Sequence, residues 1–198
     1  FSLDVMHVND VHAHVTKYPN LVTAVGEQRI QKRDSLLLNA GDVFSGTLYF
    51  NVFEGKADMD LLNLMDFDAM VFGNHEFDLG SSTEGHAALK KFVEGSNYPF
   101  VGTNIDFSGD TLLGGLQTST ITDKPENGKV YDAVIKSVKG EKVGIFGLIT
   151  EETSGISSPG SVKFENYIKQ AQATVDALES QGVNKIIALT HIGYDDNA

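Results

Sequence analysis

Cysteine is absent from this 198-residue sequence, and basic side chains are few. Without cysteine the chain can form neither a disulfide nor a metal site with thiolate ligands. Lysine and arginine number 15 against 27 aspartates and glutamates, which gives a formal net charge of −12. Because polyanions repel such a protein, we expect no nucleic-acid polymer and no anionic membrane as its partner.

Long apolar runs are also absent. None approaches the roughly 18 residues that a membrane-spanning helix needs, and no signal-peptide pattern is present. The length suits one well-filled domain, and no strong linker or internal repeat divides it, so we predict a single domain over residues 1–198. The chain enters a predicted strand almost directly after Phe1 and ends seven residues after His191, so we expect it to be part of a longer protein.

Apolar segments typical of strands alternate with segments of helical periodicity, which predicts an α/β fold. A turn at Lys139-Gly140 between two apolar runs adds a predicted β-hairpin, and residues 106–129 are predicted to be a long surface loop with little core. A second irregular loop is predicted over residues 44–55. The predicted strands are 2–8, 35–40, 68–72, 98–101, 131–138, 142–148 and 185–190, and the predicted helices are 19–33, 57–65, 82–94 and 164–181.

Four of the predicted strands end at side chains that bind metals or transfer protons. The first runs into Asp10 and His12, the second into Asp42, the third into the turn 73–78, and the last into His191. Because open α/β sheets place their sites at the carboxyl ends of strands, we expect these groups to meet. For the turn alone, a polar turn with an Asn or Asp helix cap is the alternative interpretation.

The collected side chains are carboxylates, imidazoles and one amide. Such ligands suit Mn²⁺, Zn²⁺, Fe or Mg²⁺ better than a structural zinc cage, and bound cations would reconcile the acidic chain with a phosphate ligand. Asp10 and His12 project to the same side if the backbone is extended there. Asp42 can bridge two ions, and two ions about 3.5–4 Å apart would hold a hydroxide and clamp a phosphoryl group.

Two further side chains of the turn 73–78 suggest proton chemistry. His75, beside Asn74, is a candidate general acid or electrostatic stabiliser for a leaving oxygen. Asp78, three residues later, can accept the other N–H of the imidazole and fix its tautomer.

These motifs, in this order, carry a resemblance. Asp10-x-His12, Gly41-Asp42, Gly73-Asn74-His75-Glu76 and Thr190-His191 resemble the motifs of the calcineurin-like metallophosphoesterases. The wider forms, Asn9-Asp10-x-His12-x-His14 and Gly73-Asn74-His75-Glu76-Phe77-Asp78, are similar to the 5′-nucleotidase branch of that family.

The resemblance implies a four-layer αββα sandwich, incomplete at its carboxyl end, and a site for two divalent metal ions. It implies hydrolysis of nucleotide phosphate monoesters by a metal-bridging hydroxide, in a secreted, periplasmic or cell-surface bacterial protein. One ion would be held by Asp10, His12 and Asp42, and the other by Asp42, Asn74 and His191. The His75–Asp78 pair would serve the leaving group.

The sequence departs from the family pattern in two respects. A Gly-His-x-His motif and a carboxyl-terminal nucleotide-binding domain, both expected from the family, lie beyond this sequence, so we expect weak metal binding and little turnover from the chain alone. Ala13 stands where the family commonly has glycine. The alternatives are a 2′,3′-cyclic-nucleotide phosphodiesterase, a UDP-sugar hydrolase, or a non-catalytic extracellular binding module; Asp78 favours the nucleotidase over the cyclic phosphodiesterase.

The remaining titratable side chains have simpler interpretations. His14 is either near the substrate or a polar loop residue, His7 is predicted to be a core histidine with its hydrogen bonds satisfied, and His86 is predicted to be exposed. Glu76 is predicted to hold its loop by hydrogen bonds. The carboxylates Asp58, Asp60, Asp66 and Asp68 are predicted to form a solvated edge, with Asp58 a candidate helix cap.

Overall fold

A computed structural model describes residues 1–193; the last five residues of the predicted domain lie outside this range. The strands are β1 (Val5–Val8), β2 (Leu36–Asn39), β3 (Ala69–Val71), β4 (Phe100–Val101), β5 (Ile105–Asp106), β6 (Gln117–Thr122), β7 (Val130–Val138), β8 (Glu141–Ile149), β9 (Lys163–Phe164) and β10 (Ile186–His191). The α-helices are α1 (Tyr18–Gln31), α2 (Leu48–Phe53), α3 (Lys56–Leu62), α4 (Ala87–Gly95), α5 (Thr153–Ile156) and α6 (Tyr167–Ser180).

One curled sheet contains eight of the strands. Its order is β1-β2-β3-β4-β7-β8-β10, with β6 also paired to β7, and every pair is parallel except the β7–β8 hairpin. The other two strands, β5 and β9, form a small antiparallel sheet. Crossover helices explain four of the parallel pairs, β1–β2, β2–β3, β3–β4 and β8–β10, because each returns the chain to the same end of the sheet.

Strand β7 joins the two halves of the curled sheet. Its first residues, Val130 and Tyr131, pair with β4, and the segment from Ala133 onward pairs with β8. Strands β3 and β8 therefore contact each other although they are not sheet neighbours. Gly147 in β8 allows this approach, because a Cβ there would overlap the carbonyl oxygen of Val101.

Alternating side chains of the strands divide the core into three layers. Between the two sheet halves lie residues such as Leu38, Val71 and Ile145. The opposite face of the first half packs against helices α1 to α4. The opposite face of the second half packs against α6, for example against its Leu178 side chain. The predicted α/β fold is confirmed, with the β layers of the αββα arrangement formed by two halves of one sheet.

Two predicted loops contain regular structure, so these predictions were wrong. The segment 44–55 includes helix α2, which begins after Thr47, whose hydroxyl accepts a hydrogen bond from Tyr49 N at 3.2 Å. The segment 106–129 includes β6 and buries Leu113 and Leu116 in the core. Its polar composition concealed these contacts, because pairing of β6 with β7 is non-local.

Two predicted helix starts were also wrong. Helix α4 begins at Ala87, several residues after the capping-box sequence at Ser81, with no side-chain cap. Helix α6 begins at Tyr167 after Asn166, whose side chain accepts a hydrogen bond from Lys169 N. Phe164, the predicted first residue of this helix, belongs to β9. Among the described residues, no helix is both long enough and apolar enough to cross a bilayer.

Candidate metal centre

The loop after β1 is held by backbone hydrogen bonds to the loop after β2. Asp10 N donates to Gly41 O at 3.0 Å, and His12 N donates to Asp42 O at 3.1 Å. Asp10, His12, Ala13 and Asp42 all have positive φ angles, between 44° and 54°. Such angles cost non-glycine residues about 1–3 kcal/mol each and persist only where the surroundings impose them. The backbone is thus not extended at Asp10 and His12; a left-handed turn brings their side chains together instead.

Glycines let the loops after β2 and β3 pack backbone against backbone. Gly41 has φ of 92°, and a Cβ there would overlap Gly73 N. A Cβ at Gly73 would overlap the Asp42 carboxylate. Both positions therefore require glycine by geometry, and Gly41 requires it by conformation as well.

The Asp42 carboxylate lies at the centre of the site and is buried, with 3% of the residue exposed. Its Oδ1 accepts a hydrogen bond from His75 N at 2.9 Å. Its Oδ2 lies 3.3 Å from His191 Nε2 and 3.8 Å from His12 Nε2. One oxygen thus faces two imidazoles that come from opposite ends of the chain.

Both of these imidazoles have one nitrogen committed to the backbone. His12 Nδ1 lies 3.1 Å from Phe44 O, and His191 Nδ1 lies 2.7 Å from Ala40 O. A carbonyl oxygen only accepts, so each Nδ1 carries a proton, and Nε2 is the ring nitrogen that each histidine directs toward Asp42. This is the orientation in which a histidine binds a metal ion.

The structure groups the candidate ligands differently from the predicted sets. Ligand atoms of His12, Asp42 and His75 lie within 4.8 Å of one another, and so do those of Asp10, Asp42 and His191. Asp42 belongs to both groups, as expected of a bridging carboxylate. Asp10 nevertheless remains close to His12, with 3.6 Å between Asp10 Oδ1 and His12 Nε2.

An open cleft of about 700 Å³ lies against one side of these groups. Asp10, Asn74 and His191 line it, together with Thr150 and Glu152 from the segment after β8. Asn74 is half-buried and faces the same cleft as the second ligand group. A small molecule can therefore reach the candidate ligands from solvent.

The His75–Asp78 pair lies in the turn after β3. His75 Nδ1 donates to Asp78 Oδ2 at 2.7 Å, and the imidazole is 39% exposed. Ser45 Oγ donates to the same carboxylate, and Ser157 Oγ donates to its Oδ1 at 3.1 Å. The sequence analysis missed both serines: Ser45 is close to Asp42 in the chain, but no local pattern connects Ser157 with Asp78.

Glu76 holds the loops after β2 and β3 together. Its carboxylate accepts hydrogen bonds from the backbone N–H groups of Asp42, Val43, Phe44 and Gly73, at 2.6 to 3.1 Å. Burial and the nearby Asp42 charge raise the pKa of Glu76 to about 7, and the four N–H groups limit the rise. These four hydrogen bonds confirm the prediction that Glu76 holds its loop by hydrogen bonding.

The charges of the site are strongly coupled. Burial disfavours the ionised form of Asp42, but the hydrogen bond and charge of His191 outweigh it, so the pKa of Asp42 is lowered. Burial likewise opposes protonation of His191, whose pKa the Asp42 carboxylate nevertheless raises to about 9. The pKa of His75 is reduced by burial and raised more by Asp78. In the part of the chain that the structure describes, no lysine or arginine forms an ion pair with Asp10, Asp42 or Asp78.

Several residues outside the predicted site lie in unexpected environments. His7 is exposed rather than in the core, because β1 is an edge strand, and His14 is also exposed, with Nδ1 near Val11 O. His86 and Asp58 were predicted to be exposed and are fully buried. Of the remaining carboxylates, Asp60 and Asp66 are exposed, whereas Asp68 is half-buried and pairs with Lys136 at 2.9 Å.

Comparisons with known proteins agree with this fold. The family model for calcineurin-like phosphoesterases matches residues 3–197. The trifunctional nucleotide phosphoesterase YfkN of Bacillus subtilis is 42% identical over 98% of this chain and 14% of its own length. The snake venom 5′-nucleotidase of Crotalus adamanteus is 34% identical over all of this chain and 34% of its own length.

A solved structure extends the agreement to three dimensions. The 5′-nucleotidase precursor of Thermus thermophilus superposes with a TM-score of 0.80 at 35% identity, over all of this chain and 38% of its own. The chain therefore spans about a third or less of the length of these relatives. Since the family model covers nearly every residue, the chain belongs to the calcineurin-like phosphoesterase family.

Proposed function

We propose that this chain forms the metal-binding part of a phosphoesterase that hydrolyses nucleoside 5′-monophosphates with two divalent ions. The observation that carries the proposal is the shared position of Asp42. It belongs to two groups of candidate ligands, and the imidazoles of His12 and His191 both turn their Nε2 atoms toward its Oδ2.

The chemistry of the donor set fits two divalent cations. The site collects carboxylate oxygens and imidazole nitrogens, and histidine is the only cationic partner of its carboxylates within residues 1–193. As the family motifs imply, Asp10, His12 and Asp42 would hold one ion, and Asp42, Asn74 and His191 the other. Asp10 is near both groups, because its Oδ1 lies 3.6 Å from His12 Nε2 and its carboxylate also clusters with His191. When bound, such ions lower the pKa of a water molecule and neutralise the phosphoryl oxygens.

His75 would stabilise or protonate the leaving oxygen. Its Nδ1 is engaged by Asp78, so its Nε2 is the nitrogen available to a substrate. Asp78 is itself fixed by Ser45 and Ser157 and cannot turn away. The carboxylate thus sets both the ring orientation and the tautomer of His75, which is the geometry that general acid catalysis needs.

We propose that residues other than those lining this cleft bind the nucleotide base. Among the lining residues within 1–193, histidine supplies the only rings, so this described part of the cleft offers no pair of aromatic faces for a base. The names of the relatives support a nucleotide as the substrate class. They also support an extracytoplasmic location, because one relative is a venom enzyme and another is a precursor.

The test is Mn²⁺-dependent release of phosphate from AMP by the 198-residue chain and by the full-length gene product that carries it. Asp42→Asn should abolish release in whichever form is active, because it weakens both proposed ion sites. Asp60→Asn is the matched control, since it makes the same chemical change at an exposed carboxylate outside the site. Equal activity of Asp42→Asn and wild type would contradict the two-metal site.

A second candidate activity is cleavage of cyclic nucleotides or nucleotide sugars at the same site. The name of the Bacillus subtilis relative, a trifunctional nucleotide phosphoesterase, favours testing more than one linkage. AMP, 2′,3′-cyclic AMP and UDP-glucose should therefore be compared at equal concentration, and we expect AMP to react fastest. If no phosphate ester reacts in the presence of Mn²⁺, a non-catalytic binding module becomes the better interpretation.

A further inference from the structure

A second His–Asp pair lies behind the proposed catalytic one. His86 is fully buried, and its Nδ1 donates to Asp110 Oδ2 at 2.8 Å. The other ring nitrogen, Nε2, is also buried and has no hydrogen-bond partner. A phenylalanine would fill this space without burying an unpartnered ring nitrogen, so packing alone does not account for a histidine here.

Asp110 is rigidly held by its own loop. Its Oδ1 accepts hydrogen bonds from Leu112 N at 2.8 Å and Leu113 N at 3.0 Å. Leu113 is buried in the hydrophobic core, which ties the loop to the body of the fold. Asp110 therefore provides a fixed acceptor that sets the plane of the His86 ring.

The His86 ring presses on the backbone that carries Asp78. It meets the Phe77 ring edge to face, with 5.7 Å between centroids and an angle of 90°. Its Nε2 faces the α-carbon of Gly80 so closely that a Cβ at Gly80 would overlap it. Residues 77–80 thus rest on the ring from behind, while Asp78 turns toward His75.

Gly80 also packs against the segment that contains Ser158 and Gly160. A Cβ at Gly80 would overlap the carbonyl oxygen of Ser158, and a Cβ at Gly160 would lie 2.8 Å from Gly80 O. Ser158 follows Ser157, the residue that donates to Asp78. The backbone at Gly80 is therefore packed against both His86 and the segment that supplies one of the two serine partners of Asp78.

We propose that His86, oriented by Asp110, is a positioning residue for the His75–Asp78 pair. This rests on the proposed function, because the pair it positions is the one assigned to the leaving group. The ring keeps residues 77–80 in place, and Asp78 in turn keeps the His75 imidazole aligned. His86 touches neither the cleft nor the candidate ligands.

Two substitutions at His86 separate the ring contact from the hydrogen bond. His86→Asn keeps an N–H group near the Nδ1 position but removes the ring edge that meets Phe77 and Gly80. His86→Phe keeps a ring there but leaves Asp110 without its partner. We expect kcat for AMP to fall about tenfold in His86→Asn, with KM within about twofold, and to return to within about threefold of wild type in His86→Phe.

Thermal stability should follow the opposite order, with the larger loss of Tm in His86→Phe. A merely structural role predicts that kcat falls in proportion to Tm, so both variants are compared with Val183→Ala. That control removes buried volume beside α6, in the cluster farther from the site. A loss of kcat in Val183→Ala that matches its loss of Tm would overturn the positioning role.

A double substitution tests the route of the effect. If His86 acts through Asp78, His86→Asn should lower kcat no further once Asp78 has been replaced by alanine. Independent, multiplying losses would overturn the proposal. Affinity for Mn²⁺, measured by calorimetry, should be unchanged in all His86 variants, because His86 does not contact the side chains that would bind the metal ions.

A spectroscopic measurement keeps the test independent of turnover. In protein labelled with ¹⁵N-histidine, the proton on His75 Nδ1 that is hydrogen-bonded to Asp78 should shift or broaden in His86→Asn and be retained in His86→Phe. An unchanged signal in His86→Asn would overturn the inference even if no phosphate ester is hydrolysed. Absence of hydrolysis with the predicted signal change would instead contradict only the proposed function.

Discussion

Two histidine–aspartate pairs, joined through residues 77–80, have nearly the same hydrogen bond and very different surroundings. The Nδ1 to Oδ2 distance is 2.7 Å in His75–Asp78 and 2.8 Å in His86–Asp110. The His75 side chain is 39% exposed, whereas that of His86 is fully buried. The free nitrogen of one ring is available to a substrate, and that of the other faces Gly80.

This difference shows that the pair itself does not define its chemistry. A carboxylate orients both rings in the same way, but only His75 can exchange a proton with a molecule in the cleft. The buried pair can act only through van der Waals contacts of the His86 ring with Phe77 and Gly80, since His86 Nε2 has no hydrogen-bonding partner. What the second nitrogen faces decides between a reacting group and a supporting one.

Removing the exposed imidazole should have the largest effect. For His75→Asn we expect kcat for AMP to fall by about 10²- to 10⁴-fold, because a general acid contributes on that scale. The measurement is steady-state hydrolysis with saturating Mn²⁺, beside His14→Asn, which replaces an exposed loop histidine. A loss under tenfold would exclude the leaving-group role for His75.

Replacing the orienting carboxylate should have a smaller effect. In Asp78→Asn the side chain still accepts from a serine but holds the imidazole less firmly, so we expect kcat to fall about 10- to 100-fold. Steady-state kinetics with AMP measure this loss. A loss as large as that of His75→Asn would mean that Asp78 takes part in the reaction directly.

Asp58, a buried carboxylate with no histidine partner, can be compared with Asp110 by measuring how stability depends on pH. Asp58 accepts from Tyr18 Oη at 2.8 Å, its other oxygen is unpaired, and burial raises its pKa to about 6. Burial also disfavours the ionised form of Asp110, but the hydrogen bond from His86 prevails and lowers its pKa.

The signs of the two pH dependences are opposite. A raised folded-state pKa means that Asp58 stabilises the fold below its unfolded pKa of about 3.9, and that this contribution is lost as pH rises through about 6. We therefore expect the stability of Asp58→Asn relative to wild type to increase by about 1.4 kcal/mol between pH 5 and pH 8. Denaturant unfolding at both pH values measures this; a constant difference would contradict the buried charge.

The two serines that contact Asp78 should have the smallest individual effects. We expect Ser45→Ala and Ser157→Ala each to lower kcat by no more than about tenfold. A hydrogen bond to a charged carboxylate contributes about 1.5–3 kcal/mol to stability, but in each variant the remaining serine still fixes Asp78. The double variant should lose more than either single variant and approach Asp78→Asn. If neither serine alters kcat, Asp78 is positioned by its backbone alone.

The sequence predicted most of the elements and the end of the sheet where the candidate ligands meet. Apolar periodicity identified β1, β2, β3, the hairpin and α1, because these elements are defined by local patterns. It failed at α2, at β6 and at the start of α4. Strand β6 exists through its pairing with β7, and α4 starts late because His86 is drawn into the core toward Asp110.

The residue types, their order and their places after apolar strands were determined by the sequence alone. Those features are local, so they predicted the α/β fold and the family resemblance without coordinates. Only the tertiary structure decided which atoms meet: His191 Nδ1 lies against Ala40 O, 151 positions earlier in the chain. The same is true of Ser157 and His86, because their environments are made by segments distant in sequence, and no local pattern encodes such contacts.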